Sequence, residues 1–189
     1  MSVLSDRDIR ERLKKGDLVI EPLEPFQIRS ASVDFRLGNK FRIFQTSSKT
    51  HIDIARHETV GDYTHLIEVK EGEPFIVHPN EFVLGSVIEF IKIPHDLIGI
   101  LHGRSSIGRL GIQVHATSGF VNPGYYGNLT LEMSNICRVP IALYPKMRIC
   151  QIMFQKLESI PEFTEPDKYA GDREPTLSRI HKDNQGKRE

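Results

Sequence analysis

Cysteine is scarce and tryptophan is missing: Cys137 and Cys150 are the only two thiols in 189 residues. Two cysteines cannot build a disulfide framework or a four-ligand zinc site. Each reads as a small buried apolar residue rather than a nucleophile. There is no charge of one sign to spare either. Lys plus Arg total 25 and Asp plus Glu total 25, whereas a generic nucleic-acid binder carries a basic surplus. Nucleic acid is therefore not an expected partner. The eight histidines form no HxH pair and no HExxH, and the HxE…PCxxC signature of zinc deaminases is absent. No zinc is expected, and His115 reads as a packed core histidine. Long apolar runs are lacking as well. Residues 110–131 hold no Asp, Glu, Lys or Arg, but Gln, His, Asn, Pro and Gly interrupt them, so they make no membrane span. The opening MSVLSDRDIRERL is charged by its sixth residue, unlike a secretory leader. The expectation is a soluble cytoplasmic protein with no membrane partner.

What is present suits one globular domain with a sizeable core: 39% hydrophobic and 26% charged residues. Residues 5–15 predict a helix. Ser5 is a good N-cap, Asp8 three residues on can return a hydrogen bond, Leu4 and Ile9 have staple spacing, and Gly16 is the stop signal. After Gly16 the period changes from helix to strand. Residues 33–37 and 40–44 alternate apolar and polar. Residues 45–65 are polar and read as a loop-rich excursion. Short apolar runs then recur at 66–69, 74–78, 82–93, 97–101, 111–114, 129–134, 141–143 and 148–154, punctuated by Gly, Pro and Asn. The pattern predicts a mainly β protein, a sandwich, barrel or jelly roll, with a short N-terminal helix. Residues 1–160 form this β domain. Residues 161–189 lose apolar content and read as a mobile C-terminal tail.

The chemistry concentrates in GRSSIGRLGIQVHATSGFVNPGYYGNLTLE, residues 103–132. Arg104-Ser105-Ser106-Ile107-Gly108-Arg109 puts two guanidinium groups and two hydroxyls around a glycine-permitted turn. That is a phosphate cradle or a solvated polar turn. Asn122-Pro123-Gly124 is a strong turn signal. Either it closes a plain hairpin, or Asn122 bonds a sugar hydroxyl with Tyr125 packed on the sugar. Along residues 129–134, Leu129, Leu131 and Met133 share one strand face, and Thr130, Glu132 and Ser134 share the other. Glu132 either points to water or lines a pocket as an acid/base.

These motifs, in this order, resemble dCTP deaminase of the trimeric dUTPase-like superfamily. The resemblance rests on residues 103–124 followed by Thr130-Leu131-Glu132. It extends to Leu4-Ser5-Asp6, to residues 32–38 (SVDFRLG), to residues 78–85 (HPNEFVLG), and to Tyr144-Pro145, Gln151, Lys168-Tyr169 and Ser178. It implies a distorted jelly roll whose active sites are shared within a homotrimer. It implies hydrolytic deamination of dCTP at C4, feeding thymidylate synthesis, without zinc and with magnesium carried by the triphosphate. By resemblance Glu132 is the catalytic acid/base, helped by Ser105 and Arg109. Arg104, Ser105, Ser106, Ile107, Gly108 and Arg109 bind phosphate, and Asn122, Thr130 and Leu131 meet sugar and base. Gln151, Lys168 and Asp172 also fall at nucleotide-binding positions, the last two on a C-terminal lid, residues 161–189. The resemblance also implies dTTP as an inhibitor.

One carboxylate can serve water, ring nitrogen and departing ammonia in turn if partial burial raises its pKa. An arginine positions the reacting centre without competing for the proton. The chain departs from the family's pattern at Asn122 (usually Asp), Asp172 (Gln), Ser118 (Ala) and a tyrosine missing before Lys168. A neutral amide at 122 cannot take a full proton from a second water. The expected product is therefore dUTP and ammonia. The alternatives are a bifunctional enzyme releasing dUMP and diphosphate, favoured by the run Thr117-Ser118-Gly119-Phe120, and a pure dUTPase.

Overall fold

In the computed structural model, which describes residues 2–45, 51–53, 60–163 and 167–180, the chain opens on helix α1 (Asp6–Lys15). Its start follows the capping-box logic: Ser5 N–H donates to the Asp8 carboxylate at 2.9 Å and Asp8 N–H donates back to Ser5 Oγ at 3.4 Å. Its stop needs glycine, because Gly16 takes the left-handed conformation at φ 80° and donates to the Arg12 and Leu13 carbonyls. Leu4 and Ile9 both enter the core. Arg12 fixes the helix to the rest of the chain. It donates from Nη1 and Nη2 to both Asp96 oxygens, at 2.9 and 2.7 Å, and from Nε to Asp17 at 2.8 Å.

Eleven strands follow among the described residues: β1 (Val19–Glu21), β2 (Val33–Phe44), β3 (Thr64–Glu68), β4 (Phe75–Val77), β5 (Phe82–Lys92), β6 (Leu97–Gly103), β7 (Ile112–Gln113), β8 (Phe120–Val121), β9 (Tyr126–Asn135), β10 (Ile141–Leu143) and β11 (Arg148–Lys156). A one-turn helix, α2 (Ser105–Gly108), stands between β6 and β7. Nine strands make one antiparallel sheet in the order β7-β9-β5-β2-β11-β6-β8, with β1 added on β5 and β3 on β2. β4 and β10 form a separate pair. Register shifts interrupt the pairing of β2 with β5, β5 with β9 and β11 with β2. Such irregularities bend strands and increase their twist, which curls the sheet around the core. No helix among the described residues is long and apolar enough to cross a membrane.

The mainly β architecture with one N-terminal helix matches the expectation, and three details differ. Residues 33–37 and 40–44 belong to one strand. The first part of β2 pairs with β11 and the second part with β5 and β3. Residues 120–125 do not close a hairpin. β8 pairs with β6, whereas β9 pairs with β5 and β7, so the Asn-Pro-Gly turn carries the chain between distant parts of the sheet. Residues 105–108, read as a turn, complete one helical turn in which Ile107 enters the core. Of the expected excursion at 45–65, residues 46–50 and 54–59 lie outside the described residues.

β2 explains its own sequence. Val33, Phe35 and Leu37 are fully buried in the core, and Phe41 stacks on Phe75 with ring centroids 4.1 Å apart. The alternate residues Asp34 and Arg36 face a polar layer. Arg36 donates from its backbone N–H and from Nε to the buried Glu89, at 2.9 and 2.6 Å, and Gln27 adds a bond to the same carboxylate at 2.9 Å.

The Asp96 carboxyl is held below the usual range, chiefly by its hydrogen bonds from Arg12. A depressed folded-state pKa stabilises the fold above the unfolded value near 4 and ceases to do so as pH falls through the folded value. Asp96→Asn should therefore cost about 1.5–3 kcal/mol at pH 7, the range for a charged hydrogen bond. Urea unfolding across pH should find the gap closing as pH falls below about 4 and through the lowered folded value. A pH-independent gap would remove the electrostatic assignment.

Candidate active site

Strand β9 does two jobs through its period of two. Leu129, Leu131 and Met133 lie at 8%, 0% and 0% exposure in the core. Thr130 and Glu132, on the other face, line a cavity of about 420 Å³. Phe44, Phe82, Leu84 and Phe120 supply apolar wall, and Asn122, Asn128, Lys168 and Asp172 supply polar groups. Large apolar walls with a few convergent polar groups are the usual make-up of a small-molecule site.

Glu132 is half-buried, and its Oε2 accepts the Ala116 N–H at 3.0 Å. Thr130 Oγ1 accepts the Thr176 N–H at 3.1 Å. Asn122 donates from Nδ2 to Asp167 Oδ2 at 2.7 Å, and the Tyr169 N–H donates to Asp167 Oδ1 at 2.8 Å. Asp167 also lines the cavity, so the amide at 122 carries a carboxylate on its tip. Tyr125 is a wall and not a free ring: it is 5% exposed and donates to the Asn128 carbonyl at 3.3 Å. Burial pushes its phenol well above the usual range, with Asp167 and Asp172 adding to the shift.

Of the segment read as a lid, the described residues 167–180 lie beside this cavity. Gly171 N–H donates to the Tyr126 carbonyl and Asn128 N–H to the Asp172 carbonyl, both at 2.7 Å. Arg42 Nε holds the Pro175 carbonyl at 2.8 Å, Lys40 pairs with Glu174, and Arg173 lies 4.1 Å over the Phe90 ring. Arg179 clasps the turn from beyond: it donates to the Lys168 carbonyl and, at 2.8 Å, to Asp172 Oδ1. Residues 167–180 thus lie along β9 and close the cavity's rim.

The predicted site residues fall into two groups. Glu132, Thr130, Asn122, Lys168 and Asp172 share the cavity, whereas Arg104 to Arg109, Leu131 and Gln151 do not line it. Ser105, Ser106, Gly108 and Arg109 are exposed on and beside α2, which packs next to β7. Ile107 and Leu131 are core side chains, so only their backbones remain available to a ligand. Arg104 turns inward toward Asp34, and Gln151 accepts from Ser32 Oγ at 3.1 Å. Of the other residues singled out, Cys150 is fully buried and its thiol is pushed far up by burial. Cys137 and His115 are half-buried.

Sequence reasoning missed Asp167 and the aromatic walls Phe44, Phe82 and Phe120. No local pattern marks them, because they meet only through long-range packing. Gly119, in the run that favours the bifunctional alternative, also has a structural role. A Cβ there would stand 2.4 Å from the Leu101 carbonyl oxygen, and Gly119 O accepts the Leu101 N–H at 2.6 Å. The glycine is required by this backbone contact at the cavity's lip. Gly119→Ala should lower stability by about 1–3 kcal/mol through overpacking, read by thermal or urea unfolding. An unchanged midpoint would show that the lip yields freely.

The curled antiparallel architecture is that of a solved 2'-deoxycytidine 5'-triphosphate deaminase from Agrobacterium tumefaciens. It superimposes with a TM-score of 0.65 at 25% identity, over 82% of this chain and 48% of that one. This chain therefore spans about half the length of that solved chain. The dCTP deaminase-like family profile matches residues 3–157, and the chain belongs to that family. A relative from Dictyoglomus thermophilum, named "dCTP deaminase, dUMP-forming", is 49% identical over 187 residues and 96% of each chain. A relative from Methanobrevibacter smithii with the same name is 43% identical over 189 residues and 97% of each chain. Both are named for dUMP, not for the dUTP expected from Asn122.

Proposed function

We propose that the protein deaminates dCTP by hydrolysis and carries the nucleotide on to dUMP and diphosphate. The observation that supports this reading best is the pairing of two carboxylates, Glu132 and Asp167, in one cavity of a chain of this family. In the first step water adds to C4 while Glu132 carries one water proton to N3; Glu132 then carries the C4 hydroxyl proton to the amino group, the C4–N4 bond breaks, C4=O forms and ammonia leaves. In the second step water attacks the α-phosphorus and the bond to the bridging oxygen breaks, releasing diphosphate. Asp167 takes that water's proton. Its two oxygens each accept one protein N–H, from Asn122 and Tyr169, and each keeps a lone pair.

This revises the product expected from the sequence. The inference from Asn122 to dUTP assumed that a neutral residue at 122 leaves its surroundings without a base. The amide instead holds a carboxylate brought from 45 positions away.

The groups outside the cavity enter from a second subunit in this reading. Ser105 and Arg109 of one chain complete the cavity of another, and the homotrimer is the functional unit. Leu110, just past α2, and Ile136, whose N–H donates to the Gly111 carbonyl at 2.9 Å, are 55% and 66% exposed, and large apolar side chains gathered in this way favour an interface. Magnesium comes with the triphosphate. No three His, Cys, Asp or Glu side chains converge among the described residues, so the ion's oxygen ligands come chiefly from phosphate and water. dTTP shares sugar and triphosphate and competes for the same site. The enzyme works on the soluble nucleotide pool of the cytoplasm.

A time course on dCTP that follows ammonia, dUTP, dUMP and diphosphate separately tests the reaction. Diphosphate should rise in step with ammonia, with no accumulation of dUTP. Glu132→Gln should lose ammonia release by at least about a hundredfold, and Asp167→Asn should keep ammonia release while losing diphosphate release by a similar factor. Accumulation of dUTP by the wild type would make the enzyme a simple deaminase. Turnover of dUTP without any of dCTP would make it a dUTPase.

Mixing tests the shared site. Glu132→Gln and Arg109→Ala chains, each inactive alone, should regain activity when refolded together. About a quarter of sites would then combine an intact cavity with an intact turn. A mixture as inactive as its components would place the whole site on one chain.

A further inference from the structure

Away from the cavity, three neighbouring strands converge on one carboxylate. Asp34 on β2 is 2% exposed. Arg148 on β11 donates to its Oδ2 at 3.0 Å, Arg104 at the end of β6 brings Nε to 3.5 Å from Oδ1, and Arg29 brings Nε to 3.9 Å from Oδ2. Arg104 also donates to the Arg148 carbonyl at 3.3 Å, and the Arg148 guanidinium lies 5.9 Å over the Phe26 ring.

One buried carboxylate requires one cation. Here it has three, so the cluster carries a net charge of about +2 on a chain whose overall charge is zero. The cations are not themselves enclosed: the Arg29 side chain is 53% exposed and Arg148 34%. Each guanidinium has five N–H donors. Most of those on Arg29 and Arg148 meet no acceptor among the described residues. Gln151, opposite Asp34 in the ladder, accepts from Ser32 and so keeps its amide N–H2 for an outside acceptor. Arg104 leads directly into the exposed Ser105 and Ser106.

Converging forks, an amide and hydroxyls without an acceptor describe a receptor for a multiply charged oxyanion. We propose that Arg29 and Arg148, set beside Arg104 by Asp34, are specificity residues that seat the terminal phosphates and make the enzyme select triphosphates over monophosphates. The assignment rests on the nucleotide reading above, but it adds two arginines that neither motif nor cavity pointed to. Asp34 fixes the spacing of the forks, and the charge excess supplies the attraction.

The test uses inorganic tripolyphosphate and dCMP as probes with the full-length protein, by calorimetry. Tripolyphosphate should bind the wild type and bind Arg29→Gln/Arg148→Met at least about tenfold more weakly. dCMP, which lacks the terminal phosphates, should bind both alike. In turnover the KM for dCTP should rise at least about tenfold, with kcat within about twofold. Arg29→Gln alone changes a half-exposed side chain, keeps the fold, and should give an intermediate loss. Equal tripolyphosphate affinity in wild type and variants would overturn the proposal, as would dCMP binding that falls in the same proportion. Wild-type protein that binds tripolyphosphate but never turns over dCTP would leave the phosphate seat standing and remove the proposed reaction instead.

Discussion

A carboxylate taken out of water needs cations around it, and this sheet buries two of them on adjacent strands. Asp34 and Glu89 are 2% and 0% exposed. Unpaired, each would cost several kcal/mol. Glu89 is met by Arg36, across the β2–β5 pairing, and Asp34 by Arg148 and Arg104, across β11 and β6. The charges therefore join both halves of the curled sheet through β2. The same requirement turns Arg104 inward at the point where β6 gives way to α2. The exposed hydroxyls of Ser105 and Ser106 thus emerge beside a cluster that already carries excess positive charge. The fold and the proposed phosphate seat meet in the neutralisation of one aspartate.

The cavity depends on a different constraint, the strict alternation of β9. A one-residue slip would send Glu132 into the core and Leu131 into the cavity. Pairing with β5 along most of β9 fixes the register, from Phe82 opposite Ser134 to Lys92 opposite Tyr126. The C-terminal segment then uses backbone donors and acceptors at Tyr126 and Asn128 to lie along the same strand. Its turn delivers Asp167, Lys168 and Asp172 to the rim in one piece. The segment's charged composition, which reads as a tail, is what a rim over a nucleotide site requires.

Local rules carried much of the architecture. Ser5, Asp8 and Gly16 bound α1 because caps depend only on neighbours within one turn. The two faces of residues 129–134 were legible because period two is local. What escaped depends on distance in the chain. The pairing of β8 with β6 rather than β9 is decided by sheet order, and an Asn-Pro-Gly turn looks the same in either case. Asp167 on Asn122 joins residues 45 apart, and neither side chain has a sequence context that names the other. Ile107 was read as part of a phosphate cradle and not as a core residue, because a single apolar residue in a polar turn has no period. Asp34 was legible as a motif residue, while its three arginines come from separate elements and converge only in the folded chain.

The division of the site residues follows from this geometry. Thr130 and Glu132 face the cavity from β9, and the segment at 167–180 bonds along the same strand at Tyr126, Asn128 and Thr130. The turn at 104–109 is tied elsewhere, through Ile107 in the core and Arg104 on Asp34. It cannot swing into its own chain's cavity without unburying one and unpairing the other. Chemistry that needs Glu132 and Arg109 at one reacting centre must then draw them from two chains. The assembly proposed above thus rests on how firmly each half is anchored, and the rigidity that separates the two groups within a chain is what would orient them between chains.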